Sequence, residues 1–145
     1  MTAQTIRIAE ILGGAPVLRR PVRSDLDLVE AVRGGIPTRA VEQMVLHGLL
    51  DRDEVYALIA PKRTYLLRRQ RRQPLSPAES ERVARVARIF AVAEDAFQST
   101  AKAAAWLRKP SRVLGGKVPL ELLRTEPGAR LVEEELVRID RDVYG

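Results

Sequence analysis

The 145-residue sequence contains no cysteine and a single histidine, His47. Without cysteine the chain can form no disulfide, no thiolate metal site and no cysteine nucleophile, and this composition fits a reducing cytoplasm. A Ser/His/Asp triad could use only His47 as its base, and a zinc site with one histidine and no cysteine is not expected. No apolar run reaches the roughly 18 residues of a membrane-spanning helix. We therefore expect a cytoplasmic protein that is not an enzyme and has no metal, cofactor or membrane contact.

Positive charge is concentrated in the first half of the chain. Residues 1–73 hold 13 Lys and Arg against 8 Asp and Glu, whereas residues 74–145 hold 12 against 11. Within the first half, residues 62–72 contain six basic residues and no acidic one. A field of one sign and this density attracts polyanions such as nucleic acid.

The apolar periodicity predicts α-helices along nearly the whole chain, and no stretch shows the alternation of a β-strand. The fold class is therefore predicted to be all-α. We expect an N-terminal helix-turn-helix part over residues 1–73, packed on a C-terminal helical domain over residues 74–145.

Several helix starts are marked by specific residues. Ser24 is an N-cap that follows an irregular connector over residues 15–23, and Pro37 is placed at a first helical position. Residues 76–79, Ser-Pro-Ala-Glu, form a capping box with proline at the first helical position. These residues predict three helices with defined N-terminal ends.

Two short helices on either side of Pro61 have the arrangement of a helix-turn-helix. The second of these carries the basic run, and in such a motif it enters the major groove while nearby cations contact phosphates. The candidate DNA-binding residues are Lys62, Arg63, Thr64, Tyr65, Arg68 and Arg69. The alternative is a solvated cationic face, with Tyr65 in the core.

Residues 103–128 are dense in residues that end or start helices. They contain Trp106, which we expect to anchor the core, and a cationic loop from Lys109 to Lys117 that Pro110 and Pro119 bound. An exposed and rigid loop of this kind is a common partner-binding element. Since it carries no histidine, cysteine or nucleophile beside a base, we expect recognition rather than catalysis.

The same region carries a family resemblance. Residues 106–139, WLRKPSRVLGGKVPLELLRTEPGARLVEEELVRI, resemble the toxin-binding domain of the Xre/MbcA/ParS antitoxins, which show W-L-x-x-P, L-G-G-x-x-P-x-x-L-L and T-x-x-G motifs in this order. Upstream, IAPKRTYLLRR and LSPAESERVARVARIFAVAEDAF are similar to further family motifs. The resemblance covers about residues 35–145 and leaves residues 1–34 without a counterpart.

The resemblance implies an antitoxin of a type II toxin–antitoxin system that catalyses nothing itself. Its C-terminal part would neutralise a RES-domain toxin, which degrades NAD or transfers ADP-ribose, by blocking the active site of that toxin. Its N-terminal part would bind the promoter of its own operon, and the chain would form a homodimer and higher assemblies with the toxin. The alternative is a stand-alone helix-turn-helix transcription regulator.

The resemblance also implies the toxin-binding residues. In the loop and the last helix these are Arg112, Leu114, Gly115, Gly116, Lys117 and Arg138, and at the chain end they are Val143, Tyr144 and Gly145. One position departs from the family pattern, because Asp142 stands where a glycine often precedes the terminal tail. Aspartate adopts a left-handed conformation less readily than glycine, so the path of the tail is left open.

Overall fold

The computed structural model describes residues 3–144, except for the side chains of Val143 and Tyr144. In this part of the chain the secondary structure is helical, and one isolated β-bridge joins Ser111 to Lys117. The all-α prediction is confirmed. The helices are α1 (Ala3–Ile11), α2 (Gly14–Leu18), α3 (Asp25–Gly34), α4 (Thr38–Leu46), α5 (Arg52–Leu58), α6 (Lys62–Gln70), α7 (Pro77–Phe97), α8 (Thr100–Leu107), α9 (Pro119–Leu122) and α10 (Glu126–Tyr144).

The chain divides into two compact units, Met1–Ala87 and Arg88–Gly145. The division falls inside α7, whereas the sequence placed its domain boundary in the loop before that helix. In the first unit α1 contacts α2, α3 and α4, and α6 contacts α4 and α5. In the second unit α9 contacts both α8 and α10.

The helix ends follow the capping chemistry of the sequence. The Ser24 hydroxyl accepts a hydrogen bond from the Asp27 amide at 3.1 Å. At the start of α7 the Glu79 amide donates to the Ser76 hydroxyl at 3.1 Å, and the Ser76 amide donates to the Glu79 carboxylate at 2.8 Å. Both predicted starts are therefore confirmed, and each cap satisfies amides that the first helical turn leaves without partners.

Two local predictions need correction. The connector predicted over residues 15–23 begins as a short helix, α2, since Gly13 and Gly14 adopt positive φ and let the chain turn before a new helix starts. Pro37 is the N-cap of α4, one residue before the first helical position, with an extended ψ of 148°. Its fixed φ suits either position.

The first unit is held together at Glu42 of α4. Arg52 at the start of α5 donates two hydrogen bonds to the Glu42 carboxylate, each 2.7 Å long. From α6, the Tyr65 hydroxyl donates to the same carboxylate at 2.5 Å, and Arg69 lies 3.4 Å from it. One side chain therefore links three helices, including both helices of the predicted helix-turn-helix.

These contacts change the acidity of the Glu42 carboxyl. The hydrogen bonds from Arg52 outweigh the cost of burial, and together with Tyr65 they lower the pKa of Glu42 from 4.5 to about 2. Burial and the hydrogen bond to Glu42 raise the pKa of Tyr65 well above 10. At neutral pH the carboxylate is charged and the phenol is protonated, which is the pairing that the geometry requires.

The second unit depends on a close approach at Gly128. The Thr125 hydroxyl accepts a hydrogen bond from the Gly128 amide at 3.1 Å and so caps α10. A Cβ at Gly128 would lie 2.0 Å from the Leu122 carbonyl oxygen at the end of α9. The T-x-x-G motif is thus a helix start whose glycine leaves room for the preceding backbone.

The Glu42 cluster makes stability depend on acid pH. A carboxyl whose pKa is lowered by folding contributes stability that is present above pH 4.5 and is lost as the pH falls toward 2. We expect Glu42→Gln to lower the free energy of unfolding by about 1–2 kcal/mol at pH 7, after allowance for solvent screening of these partly exposed groups. Urea unfolding at pH 7, 4 and 3 should show this difference shrinking by more than half.

The matched control for this change is Glu30→Gln, which removes an exposed carboxylate of α3 outside the cluster. It should leave the free energy of unfolding nearly unchanged at every pH. A difference between Glu42→Gln and the native chain that stays constant down to pH 3 would contradict the assignment.

Two glycine-to-alanine substitutions separate a glycine needed for space from one that is not. Gly128→Ala should lower the free energy of unfolding by about 3 kcal/mol, because backbone must move to admit the methyl group. Gly34→Ala should be neutral or stabilising, because the nearest atoms belong to the flexible Arg20 side chain. Thermal unfolding followed by circular dichroism measures both, and equal effects would refute the close-approach argument.

Candidate functional site

A helix-turn-helix is formed by α5, the residues Ile59 to Pro61, and α6. Asp51 caps α5 with a capping box, in which its carboxylate accepts from the Glu54 amide at 2.8 Å. The turn is held from α7, since Arg82 donates to the Ile59 carbonyl at 2.9 Å. Pro61 then serves as the N-cap of α6, so the second helix starts abruptly with its cations at its N-terminal end.

Three predicted DNA-binding residues lie at the start of α6. Lys62 and Arg63 are exposed, and Thr64 is half-buried. The Lys62 ammonium lies 6.0 Å from the centre of the Tyr56 ring, at the outer limit of a cation–π contact. The N-terminal end of the second helix is where base-edge contacts are made in this motif, and these residues occupy it.

Tyr65 does not belong to this surface. Its side chain is fully buried, and its hydroxyl is used by Glu42. Its ring packs 6.2 Å from that of Tyr56. The expectation that Tyr65 contacts DNA is corrected to the core position that the sequence had left open, since a tyrosine with a buried hydroxyl needs an internal partner.

The two central arginines of α6 form ion pairs within the fold. Arg68 donates to Glu79 of α7 at 2.7 Å, and Arg69 reaches Glu42. Burial alone would raise the pKa of the Glu79 carboxyl, but the hydrogen bonds from Arg68 and Ser76 prevail and lower it. The predicted basic surface is therefore divided between residues that hold the fold and residues that face solvent.

The loop between α8 and α9 is a compact, hydrogen-bonded turn. Ser111 donates from its amide to the Lys117 carbonyl at 2.9 Å and accepts at its own carbonyl from the Gly116 amide at 2.7 Å. Gly115 and Gly116 have φ values of 70° and 77°, in the left-handed region that favours glycine. A Cβ at either glycine would meet nothing within 4 Å. Their role is therefore conformational, and the space beside them is open to a partner.

The side chains of this loop mix charge with one apolar group. Arg112 and Lys117 are exposed, whereas Leu114 is half-buried. The apolar residue that faces solvent is Val113, which is 66% exposed. Sequence reasoning missed Val113 because it treated Leu114, part of the family motif, as the apolar contact. Only the turn geometry distinguishes the two neighbouring side chains.

The aromatic residue before the loop has the anchoring role that was expected of it. Trp106 is half-buried, and its ring lies 5.8 Å from that of Phe97 in a tilted arrangement. Leu107 and Ala103 beside it are fully buried. The Trp106 ring thus supports α8 directly before the chain enters the loop.

The remaining predicted toxin-binding residues lie at the end of α10. Arg138 is about half exposed and donates to Glu135 at 2.6 Å and to Asp142 at 2.7 Å. Because Asp142 pairs with Arg138 one turn earlier, the helix continues through the position where a glycine would end it. The side chains of Val143 and Tyr144, and the whole of Gly145, lie outside the described residues.

Arg138 and the loop are separate features of the second unit. Within the described residues no hydrogen bond or ion pair joins Arg138 to residues 112–117. A shallow groove runs along α10 beside Arg138. It is lined by Glu133, Glu134, Val137, Arg138 and Arg141.

Groups for catalysis are scarce in the part of the chain that the structure covers. Residues 3–142 contain no group of three or more His, Asp or Glu side chains that could hold a metal ion. His47 is exposed at the C-terminal end of α4. Among the described helices, none is long and apolar enough to cross a membrane.

Two family models match the chain. The antitoxin Xre-like helix-turn-helix domain matches residues 27–88, which include α5 and α6. The antitoxin Xre/MbcA/ParS C-terminal toxin-binding domain matches residues 92–141, which include the loop and most of α10. Both features described above thus fall inside domains with a described role.

Curated relatives agree with these matches. An antitoxin Xre of Pseudomonas putida is 35% identical over 119 residues, with 80% of this chain and 72% of the relative covered. An antitoxin Xre of Yersinia enterocolitica is 31% identical over 119 residues and is covered over 80% of its length. A Sphingobium protein named Prs ADP-ribosylating antitoxin is 25% identical over 131 residues. The chain therefore belongs to the Xre/MbcA/ParS family of antitoxins, and it is a non-enzymatic component of a toxin–antitoxin system with a helix-turn-helix domain and a toxin-binding domain.

Proposed function

We propose that this antitoxin neutralises a RES-domain, NAD-consuming toxin by covering the active site of that toxin, and that it represses its own operon by binding promoter DNA. The observation that carries the first part is the loop Lys109–Lys117, which is exposed, internally hydrogen-bonded and located in the toxin-binding domain. Both activities belong in the cytoplasm, where the promoter and the NAD pool are found.

The loop suits a partner pocket because its shape is set before binding. A loop that is already ordered loses little conformational entropy on association, so more of the contact energy appears as affinity. Val113 offers an apolar group at the tip, and the open space beside Gly115 and Gly116 lets a partner backbone approach closely. This combination is typical of the centre of a protein interface.

The charges of the loop support a site that normally holds NAD. Arg112 and Lys117 are exposed cations, and a pocket built for the pyrophosphate of NAD contains polar groups that require charged or polar partners. The name of the Sphingobium relative refers to ADP-ribosylation, the chemistry of an enzyme that consumes NAD. We therefore assign the toxin to the NAD-degrading or ADP-ribosylating class.

The end of α10 is the second proposed contact. Arg138 is held toward Glu135 and Asp142 on the helix surface, and the hydrogen bonds to Glu135 raise its already high pKa further. It therefore enters a complex as a permanent cation with part of its hydrogen-bonding capacity in use. Val143, Tyr144 and Gly145 remain proposed toxin contacts that follow it along the chain.

Promoter binding is assigned to the exposed start of α6. Lys62, Arg63 and Thr64 precede the buried Tyr65 and follow directly on the turn, so they are the residues best placed for the major groove. The Glu42 cluster keeps α5 and α6 at a fixed angle, which such docking requires. Arg68 and Arg69 are proposed only as supports of this geometry.

A homodimer is proposed on the basis of apolar groups in the first unit. Ile6 of α1 and Leu26 and Val29 of α3 are between 41% and 66% exposed. The two helices contact each other, and the Thr5 hydroxyl donates to Asp25 between them. Large apolar side chains that cluster on neighbouring helices are typical of association surfaces. Higher assemblies with toxin would follow from such a dimer.

DNA binding is tested by removing the two exposed cations of α6. Lys62→Ala with Arg63→Ala should weaken binding to the duplex upstream of the gene, and should reduce the slope of log affinity against log salt by about 1.8. Fluorescence anisotropy across a salt series measures both quantities. The control, Lys102→Ala with Arg124→Ala, removes the same charge from exposed positions of the second unit and should leave the slope unchanged. Equal effects of the two double variants would contradict the assignment.

Toxin binding is tested by filling the open space beside the loop. Gly116→Asn keeps a residue that tolerates positive φ but adds a side chain toward the proposed partner. We expect the Kd for the toxin to rise at least about 30-fold, the loss typical of a central interface residue. Gly48→Asn is the matched control, because Gly48 in the first unit has a φ of 76° and equally open surroundings.

The measurement is growth rescue when each variant is co-expressed with the neighbouring toxin gene, followed by titration of the purified pair. Gly48→Asn should rescue growth as the native chain does, and Gly116→Asn should not. Both variants should unfold at similar temperatures, since both positions have the same backbone conformation. Full rescue by Gly116→Asn would remove the loop from the proposed interface and would favour a stand-alone regulator.

A further inference from the structure

The C-terminal end of α6 carries two arginines that the fold does not use. Arg71 and Arg72 are exposed, and among the described residues neither forms an ion pair, in contrast to Arg68 and Arg69. The basic run is thus divided into a cationic start, a structural middle and a cationic end. The end lies nine residues after Lys62, which corresponds to about 14 Å along a helix.

The backbone conformation at Arg72 makes its identity unexpected. The Arg72 amide donates to the Arg69 carbonyl and the Gln73 amide to the Arg68 carbonyl, which is the hydrogen-bond pattern of a Schellman motif. Arg72 adopts a φ of 53° in this motif, at the position that glycine usually occupies. An arginine in a left-handed conformation is less stable than glycine would be. The side chain therefore has a value that the helix end itself does not explain.

Two other chain segments meet the end of α6. A Cβ at Gly35 would lie 2.9 Å from the Pro74 ring, and the Leu75 amide donates to the Ile36 carbonyl at 2.9 Å. The connector before α3 also reaches this place, because the Arg20 guanidinium lies 3.2 Å from the Cβ position of Gly34. The last turn of α3, the connector and the end of α6 thus converge.

Each of these segments contributes at least one exposed arginine. Arg20 comes from the connector and Arg33 from the last turn of α3. Neither residue forms an ion pair within the described part of the chain, although Glu30 lies one turn before Arg33. We define the arginine cluster by the four residues Arg20, Arg33, Arg71 and Arg72.

We infer that the arginine cluster binds the DNA phosphate backbone next to the base pairs that the start of α6 contacts. This inference rests on the proposed promoter binding. The major groove is about 12 Å wide, so cations about 14 Å from Lys62 reach a different stretch of backbone from those at the start of the helix. Exposed guanidinium groups without internal carboxylate partners are well suited to phosphate. The contacts are independent of sequence and extend the footprint.

The inference assigns a function to Arg20, which precedes the residues matched by the helix-turn-helix family model. It also explains why an arginine occupies the position at the end of α6 that favours glycine. Each phosphate contact contributes about 0.9 to the salt slope, which corresponds to about an eightfold loss of affinity at 0.1 M salt when that contact is removed.

The decisive variant is Arg72→Gly, which removes the charge and also relieves the left-handed conformation. The melting temperature should rise by about 3 °C while the affinity for DNA falls about eightfold. The matched control is Gln98→Gly, because Gln98 has a φ of 52° in the second unit. It should give a similar rise in melting temperature without any change in DNA binding. A purely structural role for Arg72 cannot produce this opposite movement of stability and affinity.

A second variant, Arg20→Ala with Arg33→Ala, tests the other two segments. It should reduce the salt slope by about 1.8 and weaken binding equally to the upstream duplex and to a scrambled duplex of the same length. The probes are two duplexes of about 40 base pairs, titrated by anisotropy with the full-length protein.

The outcomes separate the inference from the proposed function. If the native chain binds neither duplex, promoter binding itself fails and the inference fails with it. If the native chain binds and both cluster variants bind with the native affinity and slope, the inference alone is overturned. A cluster variant that binds DNA normally but loses its toxin would also overturn it and would identify a protein contact instead.

Discussion

The Glu42 carboxylate is the contact on which the helix-turn-helix depends. It receives hydrogen bonds from Arg52 and Tyr65 and an ion pair from Arg69, so α4, α5 and α6 meet at one charge. A charge that several donors satisfy is stable in a partly buried place, whereas the same carboxylate with one donor removed would leave polar groups without partners. This requirement determines which cations of α6 face inward. The residues left for DNA are therefore those that the Glu42 cluster and Glu79 do not engage.

Glycine does the comparable work in the second unit, by two different physical means. Gly128 is present because the Leu122 carbonyl occupies the space of a side chain, and so it determines how α10 leaves α9. Gly115 and Gly116 are present because of their positive φ values, and they determine how the loop turns. The first glycine makes the scaffold and the other two shape the surface, which is why one sequence motif contains both kinds.

Local chemistry made most of the fold predictable. Capping residues such as Ser24 and Ser76 act on amides three residues away, so their effect is written in a short stretch of sequence. The Glu42 cluster joins residues 10 to 27 positions apart, and no local pattern marks it. Tyr65 was placed on the DNA surface for this reason. The exposure of Val113 instead of Leu114 was equally hidden, because it follows from the turn and not from residue type.

The ion pair between Arg138 and Asp142 has a consequence for whatever receives the end of the chain. Because it keeps α10 helical through Asp142, that end is presented as a rod about 10–12 Å across with its side chains. A narrow cleft that would admit an extended strand cannot admit this rod unless its last turn unwinds. The opening in the partner must therefore be wide enough for a helix, and its walls must match side chains that project on every side.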